Sequence, residues 1–221
     1  MYFVPTLKKT SDGSDTLYVP ELNEHYHSTN GAVRESKYVY IESAFNPCEK
    51  KEIHVLEMGL GTGLNVLLTY LEARKRNLKV IYTGLEKYPL PETIINQLNY
   101  SDWEKEVFKR IHSAPWGKRS SIDSFFTINK IKTDFNDYAY PGKYDVVYYD
   151  AFAPDKQENV WNREIFNRIY AGMNVNGILS TYCAKGEIRR RMQSAGFSVN
   201  RLPGPPGKRE MLQAIKTNRC E

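Results

Sequence analysis

The stretch Ile53–Gly63, IHVLEMGLGTG, decides the fold. Its first six residues, Ile53–Met58, have the apolar character of a buried strand. Glycines at positions 59, 61 and 63 then let the backbone turn tightly and approach a ligand without side-chain interference. Leu64–Arg76 follows with the pattern of a helix. A buried strand, a glycine-rich turn and a helix predict the first unit of an α/β domain.

Strands and helices continue to alternate towards the C-terminus. The predicted strands are Val80–Leu85, Phe126–Lys132, Tyr144–Tyr149 and Gly177–Thr181. The predicted helices are Pro91–Ile111 (with a break near Ser101-Asp102), Asn162–Met173 and Gly186–Ala195. Phe197–Leu202 and Met211–Lys216 are close enough to pair as an antiparallel hairpin at the sheet edge. This pattern predicts a Rossmann-like, mainly parallel sheet that is covered on both faces and binds ligands at the carboxyl ends of its strands.

The first fifty residues differ in style from the rest. Leu17–Val19 and Lys37–Ile41 are predicted as short strands, separated by polar residues and the turn signal Asn30-Gly31. We therefore expect a small N-terminal β appendage over residues 1–50 and a Rossmann-like domain over residues 51–221.

Composition limits the class of protein. The 221 residues include 41% hydrophobic and 26% charged side chains, which is ordinary for a globular protein. No stretch approaches the roughly 20 apolar residues that cross a bilayer, and no signal peptide is evident, so we expect a cytoplasmic protein without membrane contact. Cys48, Cys183 and Cys220 form neither a disulfide framework nor a zinc pattern. They are expected to be free thiols, and no metal site is expected.

Acidic residues stand at the ends of the predicted strands. Glu57 lies two positions before the first glycine, and Glu86 ends the next strand, where a carboxylate can accept both hydroxyls of a ribose. The nicotinamide dinucleotide fingerprint would need a glycine where Leu64 stands, which disfavours that cofactor. Asp134 can either accept a hydrogen bond from an adenine amine or cap a following helix. Together these acids predict a ligand that contains a nucleoside.

Asp150 follows the strand Tyr144–Tyr149, next to the point where the strand order is expected to reverse. A carboxylate at that point can accept the hydrogens of an amine and orient its lone pair for an in-line transfer. Phe152 can form a wall or a stacking platform beside it. Whether Asp150 removes a proton or only positions the amine stays open, and a structural role in a turn or helix cap is the alternative.

The glycine loop resembles the first motif of class I methyltransferases, in which the acid and the loop hold the amino-acid end of S-adenosylmethionine. The resemblance implies S-adenosylmethionine as the cofactor. The residues expected to bind it are Glu57, Gly59, Gly61, Thr62, Gly63, Asn65, Glu86, Lys87, Asp134, Asp150 and Phe152.

Nearly the whole chain resembles the methyltransferase domain of the MnmC-type bifunctional tRNA-modifying enzymes. The segments that carry the resemblance are Gly31–Ile41 (GAVRESKYVYI), Glu57–Asn65 (EMGLGTGLN), Glu86–Leu90 (EKYPL), Asp150–Pro154 (DAFAP) with Trp161, Gly177–Thr181, Arg189–Gln193 (RRRMQ), Ala195–Phe197 (AGF) and Gly207–Leu212 (GKREML). The resemblance implies methylation of 5-aminomethyl-(2-thio)uridine at the tRNA wobble position, with Asp150 as the catalytic residue beside the amine. One departure is Gln157-Glu158, where the family usually has an Asn-Pro pair.

The flavin-dependent oxidase half of the bifunctional enzymes has no counterpart in this sequence. We therefore expect no FAD, and an aminomethyl uridine that other enzymes supply. A monomer is favoured. Two alternatives remain: a methyltransferase that acts on a small amine, and a non-catalytic module that binds RNA.

Positive charge concentrates towards the C-terminus. From Lys185 to residue 221 there are nine basic and three acidic residues, whereas the preceding part carries a net charge of about −1. This distribution predicts a polyanionic partner, which by the resemblance is the anticodon loop of tRNA, and a solvated helix face is the alternative. The expected RNA contacts are Phe152, Lys185, Arg189, Arg190, Arg191, Lys208 and Arg209.

Overall fold

The computed structural model describes residues 5–218. The strands within that range are β1 Thr6–Lys9, β2 Asp15–Val19, β3 Glu24–His25, β4 Glu52–Met58, β5 Lys79–Glu86, β6 Arg119–Ser121, β7 Phe126–Lys132, β8 Tyr144–Tyr149, β9 Met173–Thr181, β10 Ser198–Pro203 and β11 Glu210–Ile215. The α-helices are α1 Ala32–Ser36, α2 Leu64–Arg76, α3 Glu92–Ile95, α4 Ser101–Ser113, α5 Arg163–Gly172 and α6 Gly186–Ala195. A π-helix, Lys37–Phe45, continues α1, and a short 3₁₀-helix covers Glu158–Val160.

The main sheet has eight strands in the order β10-β11-β9-β8-β4-β5-β7-β6. Its centre, from β9 to β7, is parallel. The hairpin β10–β11 joins antiparallel to β9, and β6 pairs antiparallel with β7. The prediction of a Rossmann-like α/β fold with a C-terminal antiparallel hairpin is confirmed. The strand order reverses at β4, which has β5 on one side and β8 on the other.

Alternation along β4 explains why both faces of the sheet are covered. Ile53 and Val55 point to one face and belong to a hydrophobic cluster with residues of α2 and α4. Leu56 and Met58 point to the other face and belong to a cluster with residues of α5 and α6. Glu57 shares the face of Val55, so its side chain is directed towards α2.

The prediction of a strand at Lys37–Ile41 is wrong, because this segment is part of the π-helix. Alternating aromatic and β-branched residues suggested a strand, but Tyr40 and Ile41 are both buried, as is Phe45 one turn later. The helix packs on β8, β9 and α2, and Ser180 Oγ in β9 donates a hydrogen bond to the Val39 carbonyl over 2.7 Å. Tertiary packing on the sheet thus outweighs the local preference for an extended chain.

The N-terminal segment shares its core with the main sheet. Strands β1 to β3 form a separate antiparallel sheet, yet Leu17 of β2 lies in the same hydrophobic cluster as Ile53 of β4. A division into parts at residue 50 stays a prediction. The thiols of Cys48 and Cys183 are free, and Cys220 lies outside the described residues. No helix between residues 5 and 218 combines the length and apolar character that crossing a bilayer requires.

The helical region after β5 is broken earlier than predicted. Helix α3 ends at Ile95 and α4 begins at Ser101, so residues 96–100 separate them, and Glu104 interrupts the helical backbone of α4 with φ −156°. Tyr100, which precedes α4, is buried. The sequence alone gave no signal that this ring would be buried.

Candidate active site

A cavity of about 600 Å³ opens at the carboxyl ends of β4, β5, β7 and β8. Its floor is the glycine loop after β4, and one wall is the loop that follows β8 at Asp150. The segment from Leu22 to Thr29, around β3, forms the opposite wall. The cavity therefore lies where the strand order reverses, the position at which such sheets bind ligands.

Two glycines in the floor leave little or no room for a side chain. Gly59 has φ +96°, and a Cβ there would lie 2.5 Å from the backbone oxygen of Asp150. Gly61 has φ +49°, and a Cβ there would lie 3.1 Å from the ring of Tyr26. Gly63 is the residue before α2 and does not line the cavity, and a Cβ there would meet the ring of His112. Gly59 and Gly61 thus shape the cavity, and Gly63 shapes the turn behind it.

Glu86 stands at the end of β5 with both carboxylate oxygens oriented by backbone donors. Its Oε2 accepts from the Gly61 N–H over 3.1 Å, and its Oε1 accepts from the Tyr88 N–H over 2.8 Å. Burial raises the pKa of Glu86, and these hydrogen bonds counteract the rise. Each oxygen keeps acceptor capacity on the cavity side, which suits a diol.

Asn65, in the first turn of α2, joins two carboxyl groups. Its Nδ2 donates to Oε1 of Glu57 over 2.8 Å and to Oδ2 of Asp150 over 2.9 Å. Within residues 5–218, Asn65 Oδ1 and Glu57 Oε2 are buried and have no hydrogen-bond partner. Burial raises the pKa of Glu57 well above its ordinary value. Glu57 lies beneath the cavity and not in its lining, so it reaches a ligand only through Asn65.

Asp150 presents a carboxyl group to the cavity just after β8. Burial raises its pKa to about 7, and the nearby Tyr40 hydroxyl and Asn65 amide counteract part of that rise. A group with this pKa changes its protonation state close to neutral pH, as an acid or base in proton transfer must.

The remaining residues expected at the cofactor lie at different depths. Lys87, Asp134 and Phe152 line the cavity. Asp134 already accepts from Lys87 over 2.7 Å and from the Asn136 N–H over 2.9 Å. No helix directly follows Asp134, so it does not cap one. Its hydrogen bond from the Asn136 N–H forms an Asx-type turn instead. Thr62 does not line the cavity, and its hydroxyl is hydrogen-bonded to His27 Nε2 over 2.7 Å.

Only part of the basic group lies near the cavity. Lys208 lines it, with Nζ 2.7 Å from Glu35 Oε1. Lys185 is paired with Asp155. Arg191 lies within 4.0 Å of Glu187 and donates to a backbone carbonyl. Arg190 and Arg209 are exposed, and Arg189 is half-buried.

Several cavity residues escaped the sequence analysis. They come mainly from the N-terminal segment and from loops without a motif, namely Glu24, Tyr26, His27, Glu35, Tyr88, Phe135, Lys156 and Tyr182. His27 lies in the loop after β3 and is buried against Thr62. Tyr26 packs edge-on against Phe152, with ring centroids 5.2 Å apart. Only Glu35 and Tyr88 stood in segments that carried the family resemblance.

The model of the family described as S-adenosyl-L-methionine-dependent methyltransferase matches residues 96–217, which is more than half of the chain. The chain belongs to this family. Membership implies S-adenosyl-L-methionine as the cofactor of this methyltransferase, and the matched region holds Asp134 and Asp150.

The methyltransferase is also similar to one part of larger proteins. It is 27% identical over 215 residues to the tRNA 5-methylaminomethyl-2-thiouridine biosynthesis bifunctional protein MnmC of Campylobacter fetus, over 90% of this chain and 34% of that protein. The MnmC of Actinobacillus pleuropneumoniae is 25% identical, over 95% of this chain and 35% of that protein. The chain spans about a third of the length of the curated relatives it matches. The predicted resemblance to the MnmC-type methyltransferase domain is confirmed.

Solved structures agree on the fold. MNMC2 from Aquifex aeolicus superposes with a TM-score of 0.79 at 24% identity, over 97% of this chain and 71% of that one. Spermidine synthase from Thermotoga maritima superposes with a TM-score of 0.56 at 11% identity, over 95% and 71%.

The cavity fits S-adenosylmethionine in two respects. The unpartnered Asn65 Oδ1 is an acceptor for an ammonium group, and Glu57 and Asp150 supply negative charge around it. Gly59 and Gly61 line the cavity without side chains, so a ligand can approach the loop backbone.

Proposed function

We propose that this methyltransferase transfers a methyl group from S-adenosylmethionine to the amine of 5-aminomethyl-(2-thio)uridine at the wobble position of tRNA, giving 5-methylaminomethyl-(2-thio)uridine. The observation that carries the proposal is the position of Asp150. Its carboxyl group shares one cavity with the glycine loop and Glu86 and is oriented by Asn65.

The residues at the strand ends would divide the cofactor between them. Glu86 would accept the ribose hydroxyls, and Asn65, backed by Glu57, would accept the ammonium group. The adenine would lie between Tyr88, Asp134 and Phe135, which line the same end of the cavity.

S-adenosylmethionine supplies an electrophilic methyl group on a positively charged sulfur. The amine must attack with a free lone pair, so a protonated amine has to lose one proton first. The Asp150 carboxylate accepts a hydrogen bond from the amine nitrogen and takes up the proton that leaves it. A pKa of about 7 lets Asp150 pass that proton to solvent at neutral pH. Phe152 and Tyr26 shield the reacting atoms from water, because their rings meet across the cavity.

The tRNA part of the proposal rests on the similarity to MnmC over 90% of this chain and on the basic side chains near the C-terminus. A wobble base lies in a single-stranded loop and can be splayed out and stacked on an aromatic ring. Phe152 is the proposed ring, and Arg190 and Arg209 are the proposed phosphate contacts because both residues are exposed. The oxidase chemistry that prepares the aminomethyl group would lie in another polypeptide segment or another enzyme.

The experiment is methyl transfer from radiolabelled S-adenosylmethionine to tRNA from cells that lack this enzyme, followed by digestion to nucleosides. We expect label in 5-methylaminomethyl-(2-thio)uridine with the wild-type protein. Asp150→Asn, which keeps the side-chain shape, should lower the rate about 10²-fold or more while calorimetry shows retained cofactor binding. Cofactor binding without label in tRNA would overturn the RNA substrate and direct the search to small amines.

A further inference from the structure

A series of contacts runs along one end of the cavity and joins four segments of the chain. The Ser28 N–H donates to Oε2 of Glu35 over 2.8 Å. Lys208 Nζ donates to Oε1 of Glu35 over 2.7 Å and lies 3.9 Å from the centroid of the Tyr182 ring. The Tyr182 hydroxyl donates to the carbonyl of Ala151, next to Asp150, over 2.8 Å. The series therefore connects the N-terminal wall to the loop that carries Asp150.

The Glu35–Lys208 pair differs from a surface ion pair. The Glu35 side chain is 10% exposed and that of Lys208 is 33% exposed. Both line the cavity, and Lys208 lies against the Tyr182 ring. Holding a nearly buried carboxylate there costs desolvation free energy, which its two hydrogen bonds and the lysine charge offset. Removing Lys208 leaves the Glu35 carboxylate with the Ser28 N–H but without a neighbouring positive charge.

The pair also acts on the charge of Asp150. Glu35 raises the pKa of Asp150 and Lys208 lowers it, so the two effects oppose each other. The titratable groups that face Asp150 come from every neighbouring element: Tyr40 from the π-helix, Glu57 from β4, Tyr82 from β5, Tyr182 after β9, Glu35 from α1 and Lys208 before β11. Among these groups, Lys208 is the one that carries positive charge.

We propose that Glu35 and Lys208 form a positioning unit for the acceptor amine: the pair holds Tyr182 and the Asp150 loop at the acceptor end of the cavity and balances the charge beside Asp150. Neither residue is assigned a proton transfer. The identity of the acceptor rests on the proposed function, whereas the contacts and the charge balance do not.

The test measures the titration of Asp150 directly. Aspartate labelled with ¹³C at the side-chain carboxyl is incorporated, and the signal of Asp150 is assigned by its loss in Asp150→Asn. In the cofactor-free protein, Glu35→Gln should lower the pKa of Asp150 and Lys208→Met should raise it, each by about one pH unit. The double variant Glu35→Gln/Lys208→Met should return close to the wild-type titration, because both charges are gone.

A second measurement follows kcat/KM for tRNA methylation against pH. Its acidic limb should move in the same direction as the titration of Asp150 in each variant. Lys208→Arg should keep the wild-type profile, since it preserves the charge. Arg209→Met, which removes the neighbouring exposed charge, is the matched control and should leave the titration of Asp150 in place.

Single variants that shift Asp150 in the same direction, or a double variant that does not revert, would overturn the proposal. So would an equal shift in Arg209→Met. Melting curves identify any variant that does not fold, and the remaining single variant then decides by the direction of its shift. If the wild-type protein puts no label into tRNA while the titrations behave as expected, the proposed substrate fails and the charge balance stands.

Discussion

The side-chain amide of Asn65 donates to Asp150 over 2.9 Å with the same nitrogen that donates to Glu57 over 2.8 Å. Two carboxyl groups, one buried beneath the cavity and one in its wall, therefore share this donor. Removing that donor should affect both stability and binding.

Asn65→Leu keeps a similar volume and removes the amide. We expect the free energy of unfolding to fall by roughly 1–3 kcal/mol, because buried acceptors lose their partner, and the cofactor to bind more weakly. Urea unfolding and calorimetry measure the two effects. Asn200→Leu is the control: its amide makes an exposed hydrogen bond on β10, so its effect should stay within about 0.5 kcal/mol. Equal effects in the two variants would contradict the shared-donor interpretation.

Asp150 should make the cofactor-free protein less stable as pH rises. Its folded-state pKa of about 7 lies above its unfolded value of about 3.9. Between these values the folded state binds a proton that the unfolded state has lost, so stability falls as pH rises from about 4 to 7. Asp150→Asn removes this loss. We expect it to match the wild type near pH 4 and to be more stable by roughly 2–4 kcal/mol at pH 8.

Thermal or urea unfolding across that pH range measures the difference. The control is Asp155→Asn, which alters an exposed carboxylate paired with Lys185 and should show no such gain at pH 8. A stabilisation by Asp150→Asn that is the same at pH 4 and pH 8 would show that its cause is not the titration of Asp150.

A comparison of Gly59 with Gly117 distinguishes the cost of a strained backbone from the cost of a steric clash with a neighbouring atom. Both have positive φ, +96° and +74°, but a Cβ at Gly117 meets nothing within 4 Å, whereas one at Gly59 meets the Asp150 backbone oxygen at 2.5 Å. Gly117→Ala should cost only the strain, about 1–2 kcal/mol of stability, with unchanged cofactor affinity. Gly59→Ala should cost more stability and should weaken cofactor binding, which calorimetry would detect, because the added Cβ displaces the Asp150 backbone. Undiminished binding by Gly59→Ala would exclude the loop from the cofactor site.

Glu86 and Asp134 should contribute unequally to cofactor binding. Glu86→Gln replaces a charged acceptor by a neutral one, and hydrogen bonds to charged groups contribute about 1.5–3 kcal/mol. We therefore expect at least a tenfold loss of affinity for S-adenosylmethionine. Asp134→Asn should have a smaller effect, because Lys87 and Asn136 already occupy both Asp134 oxygens. Isothermal calorimetry ranks the two variants. A larger loss in Asp134→Asn than in Glu86→Gln would contradict the assignment of the ribose to Glu86.

The exposed arginines should set the salt dependence of tRNA binding. Each phosphate contact contributes about 0.7 to the slope of log affinity against log salt for a single strand. Arg190→Ala and Arg209→Ala should each lower the slope by about that amount. Lys185→Ala should lower it less, because Lys185 is paired with Asp155. Filter-binding titrations at several salt concentrations give the slopes, and unchanged slopes in both arginine variants would move the RNA surface elsewhere.

Local patterns predicted the main sheet well. The bounds of Leu64–Arg76 and Tyr144–Tyr149 are as predicted, because a glycine turn precedes one and fully buried residues define the other. The same kind of pattern failed at Lys37–Ile41, where burial on β8 and β9 decides the conformation. The apolar residues that indicated a strand there are the residues that pack the π-helix against the sheet.

The candidate site divides in the same way. Gly59, Glu86 and Asp150 could be found because they stand at strand ends in a recognisable order. Tyr26 and Tyr182 could not, because they reach the cavity only through the tertiary fold. Lys208 was identified as an expected RNA contact, and that role stays a prediction. Its partner Glu35 lies 173 residues away, and sequence spacing gives no sign of such a pair.

That separation has a consequence for how the protein matures. A hydrogen bond joins Val39 to Ser180 across 141 residues of sequence, and another joins Glu35 to Lys208 across 173 residues. Closing such large loops costs conformational entropy before any contact compensates for it. During synthesis the glycine loop and β5 emerge early, but the acceptor end of the cavity has to wait for the β10–β11 hairpin. The nascent chain therefore cannot form the Glu35–Lys208 pair at the acceptor end until residue 208 has been synthesised.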